Sequence, residues 1–267
     1  MKNMKVISLG AGVQSTAMLL MGLRGEIDRA DCAIFADTGW EPKAVYDHLG
    51  RLQEECKKHE FPLHVVQHGD IRKDALSAKR TDSIPLHIEK DYGTGIIRRQ
   101  CTGLYKINPI NKKIRSLLGY RPRQRIKEIA EMWIGITVDE AHRMKDNQTR
   151  WITNRYPLID LRMDRHNCVQ YLKRIGWGQA PKSACIGCPY TDNARWRKMK
   201  MDRPEEWEDA VDFDYKVRER NIKQKRLKGK VFLHQSGIPL DQVDFSTLED
   251  KGQMNMFAEE CEGMCGV

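Results

Sequence analysis

Lys5-Val6-Ile7-Ser8-Leu9-Gly10-Ala11-Gly12-Val13-Gln14-Ser15-Thr16-Ala17-Met18-Leu19-Leu20-Met21 is the stretch that decides the fold. A short apolar run ends in two glycines, and helix-forming residues follow a Ser/Thr start, which reads as a strand, a tight turn and a helix. The pattern recurs. Cys32-Ala33-Ile34-Phe35-Ala36 ends in Asp37-Thr38-Gly39 and leads into a helical stretch over 43–58, Leu63-His64-Val65-Val66 follows another turn, and Met132-Trp133-Ile134-Gly135-Ile136 is a fourth strand. Strands alternating with helices at this spacing predict an α/β fold, a doubly wound and mostly parallel sheet of Rossmann-like type, whose ligands sit at the carboxyl ends of the strands. Residues 69–99 read as a polar loop or lid, 105–118 as a helix, Tyr156-Pro157-Leu158-Ile159 as a short segment, and 193–201 and 204–227 as charged helices. The expected division is a nucleotide-binding α/β domain over 1–165 and a helical, cysteine-containing region over 166–267 that ends in a mobile tail.

The chain has 267 residues and carries 46 Lys+Arg against 37 Asp+Glu, a net charge of +9. That length can bury a real core. No run approaches the roughly 20 apolar residues of a membrane span, and the start enters a strand rather than a leader peptide. A soluble, cytoplasmic protein with no membrane partner is expected. The basic balance favours a polyanion such as nucleic acid or a nucleotide, although a solvated surface gives the same count. Eight cysteines without a secretion signal point to metal or redox chemistry rather than to disulfides.

Free N–H groups and the helix dipole after the first strand favour phosphate oxygens. A Walker A loop needs a Gly-Lys-Ser/Thr ending, and no Lys is present. The dinucleotide fingerprint fits Gly10 and Gly12 but meets Ser15 where its third Gly belongs. The PP-loop of ATP pyrophosphatases, Ser-Gly-Gly-x-Asp-Ser, is a third reading, and a plain tight βα turn is the fourth. Gly10-Ala11-Gly12-Val13-Gln14-Ser15 resembles the PP-loop, with Gly for its first Ser and Gln14 for its Asp. Further along, Arg99-Gln100-Cys101-Thr102-Gly103-Leu104-Tyr105-Lys106-Ile107-Asn108-Pro109-Ile110 resembles the Cys-Cys-x-x-Arg-Lys-x-x-Pro-Leu segment of sulfonucleotide reductases. Trp133-Ile134-Gly135-Ile136 with Asp139, Glu140 and Arg143 resembles their next strand and loop, and Cys185-Ile186-Gly187-Cys188-Pro189 their second cysteine pair. In this order and spacing, over most of residues 5–190, the chain resembles the PP-loop superfamily (adenine nucleotide alpha hydrolase-like) in its PAPS reductase-like branch. Two departures stand out. Thr137-Val138 replace the arginines that hold the sulfonucleotide, and the tail keeps only Cys265-Gly266 of the reactive Glu-Cys-Gly-Leu-His ending.

The resemblance implies that ATP, with Mg2+, is cleaved to AMP and pyrophosphate, that a substrate is adenylylated, and that sulfur is then transferred to a nucleic-acid acceptor (tRNA or DNA), with a sulfur-donor protein as a further partner. It implies a nucleotide site of Ser8, Gly10, Ala11, Gly12, Val13, Gln14, Ser15, Thr16, Asp37, Thr38 and Gly135, with Ser15 and Arg143 catalytic and Cys265 as a thiol delivered by the tail. His142 and Lys145 follow the same strand. The Cys185-x-x-Cys188 spacing alone suits zinc, an iron–sulfur cluster or a redox dithiol. The resemblance adds Cys101 as a third ligand of a 4Fe-4S cluster whose open iron would hold a sulfur atom for transfer; a fourth ligand from Cys168, Cys261 or Cys265 would instead close the site and make it structural, and zinc is the alternative metal. Arg98, Arg99 and Lys106 flank Cys101, whereas Cys32 and Cys56 read as packing residues. Basic residues over 195–203 and 216–230, with Trp196 and Trp207 interleaved, suit RNA or single-stranded DNA, against the rival reading of solvated helical faces. Two other functions remain open: a PAPS or adenylyl-sulfate reductase using Cys265, and a non-catalytic, zinc-stapled nucleic-acid-binding protein.

Overall fold

The structure is a computed structural model and describes residues 3–77, 84–90, 92–224 and 227–246. Cys261, Cys265 and the expected mobile tail lie outside the described residues. In chain order the elements begin β1 (Met4–Leu9), α1 (Val13–Leu23), β2 (Cys32–Asp37), α2 (Lys43–Lys58), β3 (Leu63–Gln67), α3 (Ile71–Leu76), β4 (His87–Glu89) and β5 (Thr94–Ile96). They continue with α4 (Asn108–Leu117), β6 (Ala130–Ile134), β7 (Ile152–Arg155), α5 (Pro157–Asp160), α6 (Arg165–Arg174), α7 (Asn193–Asp202), α8 (Pro204–Gln224) and β8 (Val231–Phe232). None of the described helices is long and apolar enough to cross a membrane.

The chain forms two compact units that interleave. One takes the chain up to Asp37, Lys43–His68 and Tyr105–Ser183; the other takes Thr38–Pro42, Gly69–Leu104 and the chain from Ala184 onward. This differs from a single cut after residue 165, because α6 packs on α1 and so belongs with the nucleotide-type sheet.

The first unit is the α/β fold. Its sheet is parallel throughout, in the order β3-β2-β1-β6-β7. Alternation at period two sorts the side chains. Ile7, with its register partners Ala33 and Trp133, faces α1, α2 and α6, where Leu19, Leu52 and Leu172 meet them. Val6, with Cys32 and Met132, faces Ile110 and Ile114 of α4. Burial on both faces is why these strands read as unbroken apolar runs. The strand order reverses between β1 and β6, the switch point at which such sheets take ligands. Two elements here were not expected. β7 is a polar edge strand in which only Ile152 is buried, too weak a pattern to read. α6 carried a legible signal, Cys168, Tyr171 and Leu172 behind an Asp164/Asn167 capping box.

The second unit holds α3, α7, α8 and an antiparallel sheet in the order β5-β4-β8. The described residues of 69–99 therefore hold a helix and two paired antiparallel strands, too short to show a period, where a loop or lid was expected. α8 fastens the segment after it through buried Asp214. Its Oδ1 accepts the N–H of Leu233 at 2.8 Å, its Oδ2 that of Leu240 at 3.0 Å, and Arg218 pairs with it. Trp196 (0% exposed) and Trp207 (9%) belong to this core, so neither offers a face for base stacking as expected. Much of the basic run is paired along its own helix, Lys198 with Asp202, Lys216 with Asp212 and Lys223 with Glu219.

Candidate functional site

The turn after β1 is built for close approach. Gly12 is the N-cap of α1; it has no side-chain cap, and no acidic residue occupies the first helical turn. The N–H of Thr16 closes the first helical bond on Gly12 O at 3.0 Å, which leaves those of Val13, Gln14 and Ser15 without intrahelical partners. Ala11 takes the left-handed conformation (φ 57°) with its methyl in the core, at the place where the PP-loop pattern has Gly. That conformation costs an alanine about 1–2 kcal/mol, strain held at a turn rather than inside an element. Gly135, just past β6, supports the turn from beside it. A Cβ there would lie 2.9 Å from Ser15 N and 3.1 Å from Ser15 Cα, so only glycine allows the approach. On the other side, a Cβ on Gly10 would lie 3.7 Å from Ser183 Oγ and 3.8 Å from Ser15 Oγ, so two hydroxyls flank Gly10.

Several residues expected at the nucleotide have partners within the protein. Thr16 is fully buried, and its Oγ1 shares a hydrogen bond of 3.0 Å with His48 Nε2. Burial, with Arg51 nearby, pushes the His48 pKa down to about 4. Thr16 therefore holds α1 to α2. Asp37, at the carboxyl end of β2, accepts a hydrogen bond of 2.8 Å from Tyr46. Val13 packs in the core and offers only its backbone.

Charged groups are tied to the turn through Gln14. Its Nε2 donates to Glu140 Oε2 at 3.2 Å, and its Oε1 accepts from Arg165 Nη1 at 3.4 Å. Arg143 Nη1 donates to Glu140 Oε1 at 2.6 Å, and the backbone N–H of Arg165 donates to Asp139 Oδ1 at 3.2 Å. An Asp at position 14 would repel Glu140; the amide serves both neighbours because it carries an acceptor and a donor.

The thiols of the second unit form a separate arrangement. Thr38 is buried; its Oγ1 donates to Glu41 Oε1 at 3.0 Å and lies 3.3 Å from Cys185 Sγ, which donates to Glu41 Oε1 at 3.7 Å. Thr38, expected at the nucleotide, thus has Glu41 and Cys185 as its partners. Ile186 N–H donates to Trp40 O at 3.0 Å, and Gly187 lies so close under the Trp40 ring that a Cβ would overlap it, at 2.0 Å from its edge. Cys188 N–H closes the turn on Cys185 O at 3.2 Å. Cys101 is half-buried at the head of the π-helical segment Thr102–Ile107, and Arg99 lies over the Tyr190 ring at 5.5 Å. Among the described residues no group of three or more His, Cys, Asp and Glu could hold a metal ion. Cys168 is a core residue whose thiol burial pushes up to about 12, and Cys32 and Cys56 are core residues as expected.

Sequence reasoning missed Arg165, Ser183, Trp40 and Glu41 as parts of these arrangements. Each touches its partner across a long sequence separation, and no local pattern announces that.

No family model matches the sequence, and no curated protein matches it. A solved structure of similar fold is that of the U34-tRNA thiolase NcsA from Methanococcus maripaludis with its 4Fe-4S cluster, at TM-score 0.42 and 15% identity over 85% of this chain and 75% of that one. The likeness is too slight to carry a residue or a role across.

Proposed function

We propose that this chain is a PP-loop enzyme that binds ATP at the turn of residues 10–15, cleaves it to AMP and pyrophosphate, and adenylylates a substrate. The observation that carries the reading is the uncapped start of α1 at the switch point, with Gly135 pressed against Ser15 so that the backbone is open to an anion. The N–H groups of Val13, Gln14 and Ser15 and the Ser15 hydroxyl hold the leaving pyrophosphate. Arg143, fixed by Glu140, is the cation for the α-phosphate. Mg2+ carried with the nucleotide supplies neutralisation of phosphate charge, and Asp37 is the carboxylate proposed to meet it. A substrate oxygen attacks the α-phosphorus, the bond to the bridging oxygen breaks, and pyrophosphate leaves. A sulfur nucleophile then displaces AMP from the adenylylated carbon.

Sulfur transfer to a nucleic-acid acceptor is the finer part of the proposal. It is supported by three thiols outside the apolar core, Cys101, Cys185 and Cys188, and by the basic chain.

The test is pyrophosphate release from ATP in the presence of mixed tRNA or DNA, in the natural protein and in Ser15→Ala. Release that falls at least tenfold in the variant supports the reading. Turnover that ignores Ser15, or none with any acceptor, refutes it.

A further inference from the structure

We infer that Ser183 is a phosphate-contacting residue, whose hydroxyl and main-chain N–H complete the site at the turn of residues 10–15. The inference rests on the nucleotide reading above and adds to it a residue from a distant part of the chain. Gly10 is not required by the fold. Its φ lies outside the left-handed region, and a Cβ on it would meet nothing closer than Ser183 Oγ at 3.7 Å and Ser15 Oγ at 3.8 Å, ordinary van der Waals contact. An alanine would therefore fit, unlike at Gly135, where packing alone demands glycine. The use left for a bare backbone at position 10 is the close approach of a ligand.

Ser183 borders that bare space along its length. A Cβ on Gly12 would lie 3.6 Å from Ser183 Cβ and 3.9 Å from Ser183 N, so both the hydroxyl and the main-chain nitrogen of residue 183 stand beside the turn. Ser183 is half-buried, and among the described residues neither its hydroxyl nor its N–H makes a hydrogen bond. Such groups are satisfied by water or by a ligand. These two stand at the uncapped start of α1, whose dipole and first N–H groups favour an anion. The Ser15 and Ser183 hydroxyls lie within 4 Å of one point, a spacing that one tetrahedral phosphate bridges with O–H···O bonds of about 2.7 Å. Ser15 Oγ donates to Gly12 O at 3.4 Å, a long bond that a phosphate oxygen can replace. The turn has no Lys of its own, so this contact is made by neutral donors, and its contribution is nearly independent of salt.

Inorganic pyrophosphate and ATP serve as probes in calorimetric titrations of the natural protein, Ser183→Ala, Gly10→Ala, the double variant and Ser15→Ala, with melting temperatures recorded for each. Ser183→Ala should weaken binding of both about tenfold, the weight of one hydrogen bond to a charged group, with melting temperature and salt dependence unchanged. Gly10→Ala should lose at least as much while melting no lower than the natural protein, and adding Ser183→Ala to it should cost little more, because the filled space keeps the ligand from the hydroxyl. Unchanged pyrophosphate affinity in Ser183→Ala, with Ser15→Ala impaired, overturns this inference and leaves the nucleotide reading intact; so does a loss that comes only with a lowered melting temperature. If the natural protein binds neither pyrophosphate nor ATP, the nucleotide reading falls, and this inference with it.

Discussion

Replacing Gly135 by Ala probes the contact on which the proposed phosphate-binding turn depends. The new methyl carbon would sit 2.9 Å from Ser15 N, 3.1 Å from Ser15 Cα and 3.2 Å from Gln14 C, all main-chain atoms with no side-chain torsion to relieve them. Non-bonded heavy atoms settle near 3.5 Å, so the start of α1 has to recede by roughly half an ångström. Overpacking of this kind costs about 1–3 kcal/mol. Misplacing a binding group by about 1 Å costs on the order of a hundredfold, so half that displacement should weaken pyrophosphate binding about tenfold. Urea unfolding gives the stability change, and titration with inorganic pyrophosphate gives the binding change. Gly50→Ala is the control: it lies inside α2 with nothing within 4 Å of a Cβ, and it should gain about 0.5–1 kcal/mol without touching binding. A Gly135→Ala protein as stable as the natural one and equally tight for pyrophosphate would refute the reasoning.

His48 makes stability depend on pH. Its folded pKa, about 4, lies below the ordinary 6.5, so between those values the unfolded chain binds more protons and stability falls as pH drops. The loss, about 1–2 kcal/mol once its remaining solvent contact is allowed for, should vanish in His48→Gln; urea midpoints at pH 7.5 and 4.5 decide, and equal slopes in both proteins refute it. Asp214→Asn leaves Arg218 without its ion-pair partner and one of two buried N–H groups without an acceptor, and should cost about 3 kcal/mol in urea unfolding; a cost below about 0.5 kcal/mol would show that the segment after α8 is held otherwise. Burial pushes Cys32 up to about 11 and Cys56 and Cys168 to about 12. Iodoacetamide at pH 8, followed by peptide mass spectrometry, should therefore label the half-buried Cys188 much faster than the buried Cys56 or Cys168, and comparable rates would contradict the burial.

Much of the first unit was legible because its strands are buried on both faces and its helices alternate with them at short range. β1, α1, β2, α2 and β3 follow the apolar runs and the Gly-bearing turns between them. The turn after β1 was legible for the same reason: small residues between a strand and a helix have local consequences. What the local pattern did not show shares one cause. Thr16 and Thr38 are polar residues next to candidate turns, and only the fold shows the buried partner of each, His48 for one and Cys185 with Glu41 for the other. Trp196 and Trp207 look like a stacking platform among cations until the fold closes over them.

The sequence by itself therefore determined a parallel, switch-pointed α/β sheet and the place of the glycine-bearing turn after β1, since both follow from hydrophobic period and backbone freedom within a dozen residues. Only the tertiary structure decided that Gly135 braces Ser15, that Gln14 joins Glu140 to Arg165, and that Cys185 rests on Thr38 and Glu41. Those contacts join residues more than a hundred positions apart, and packing alone brings them within reach.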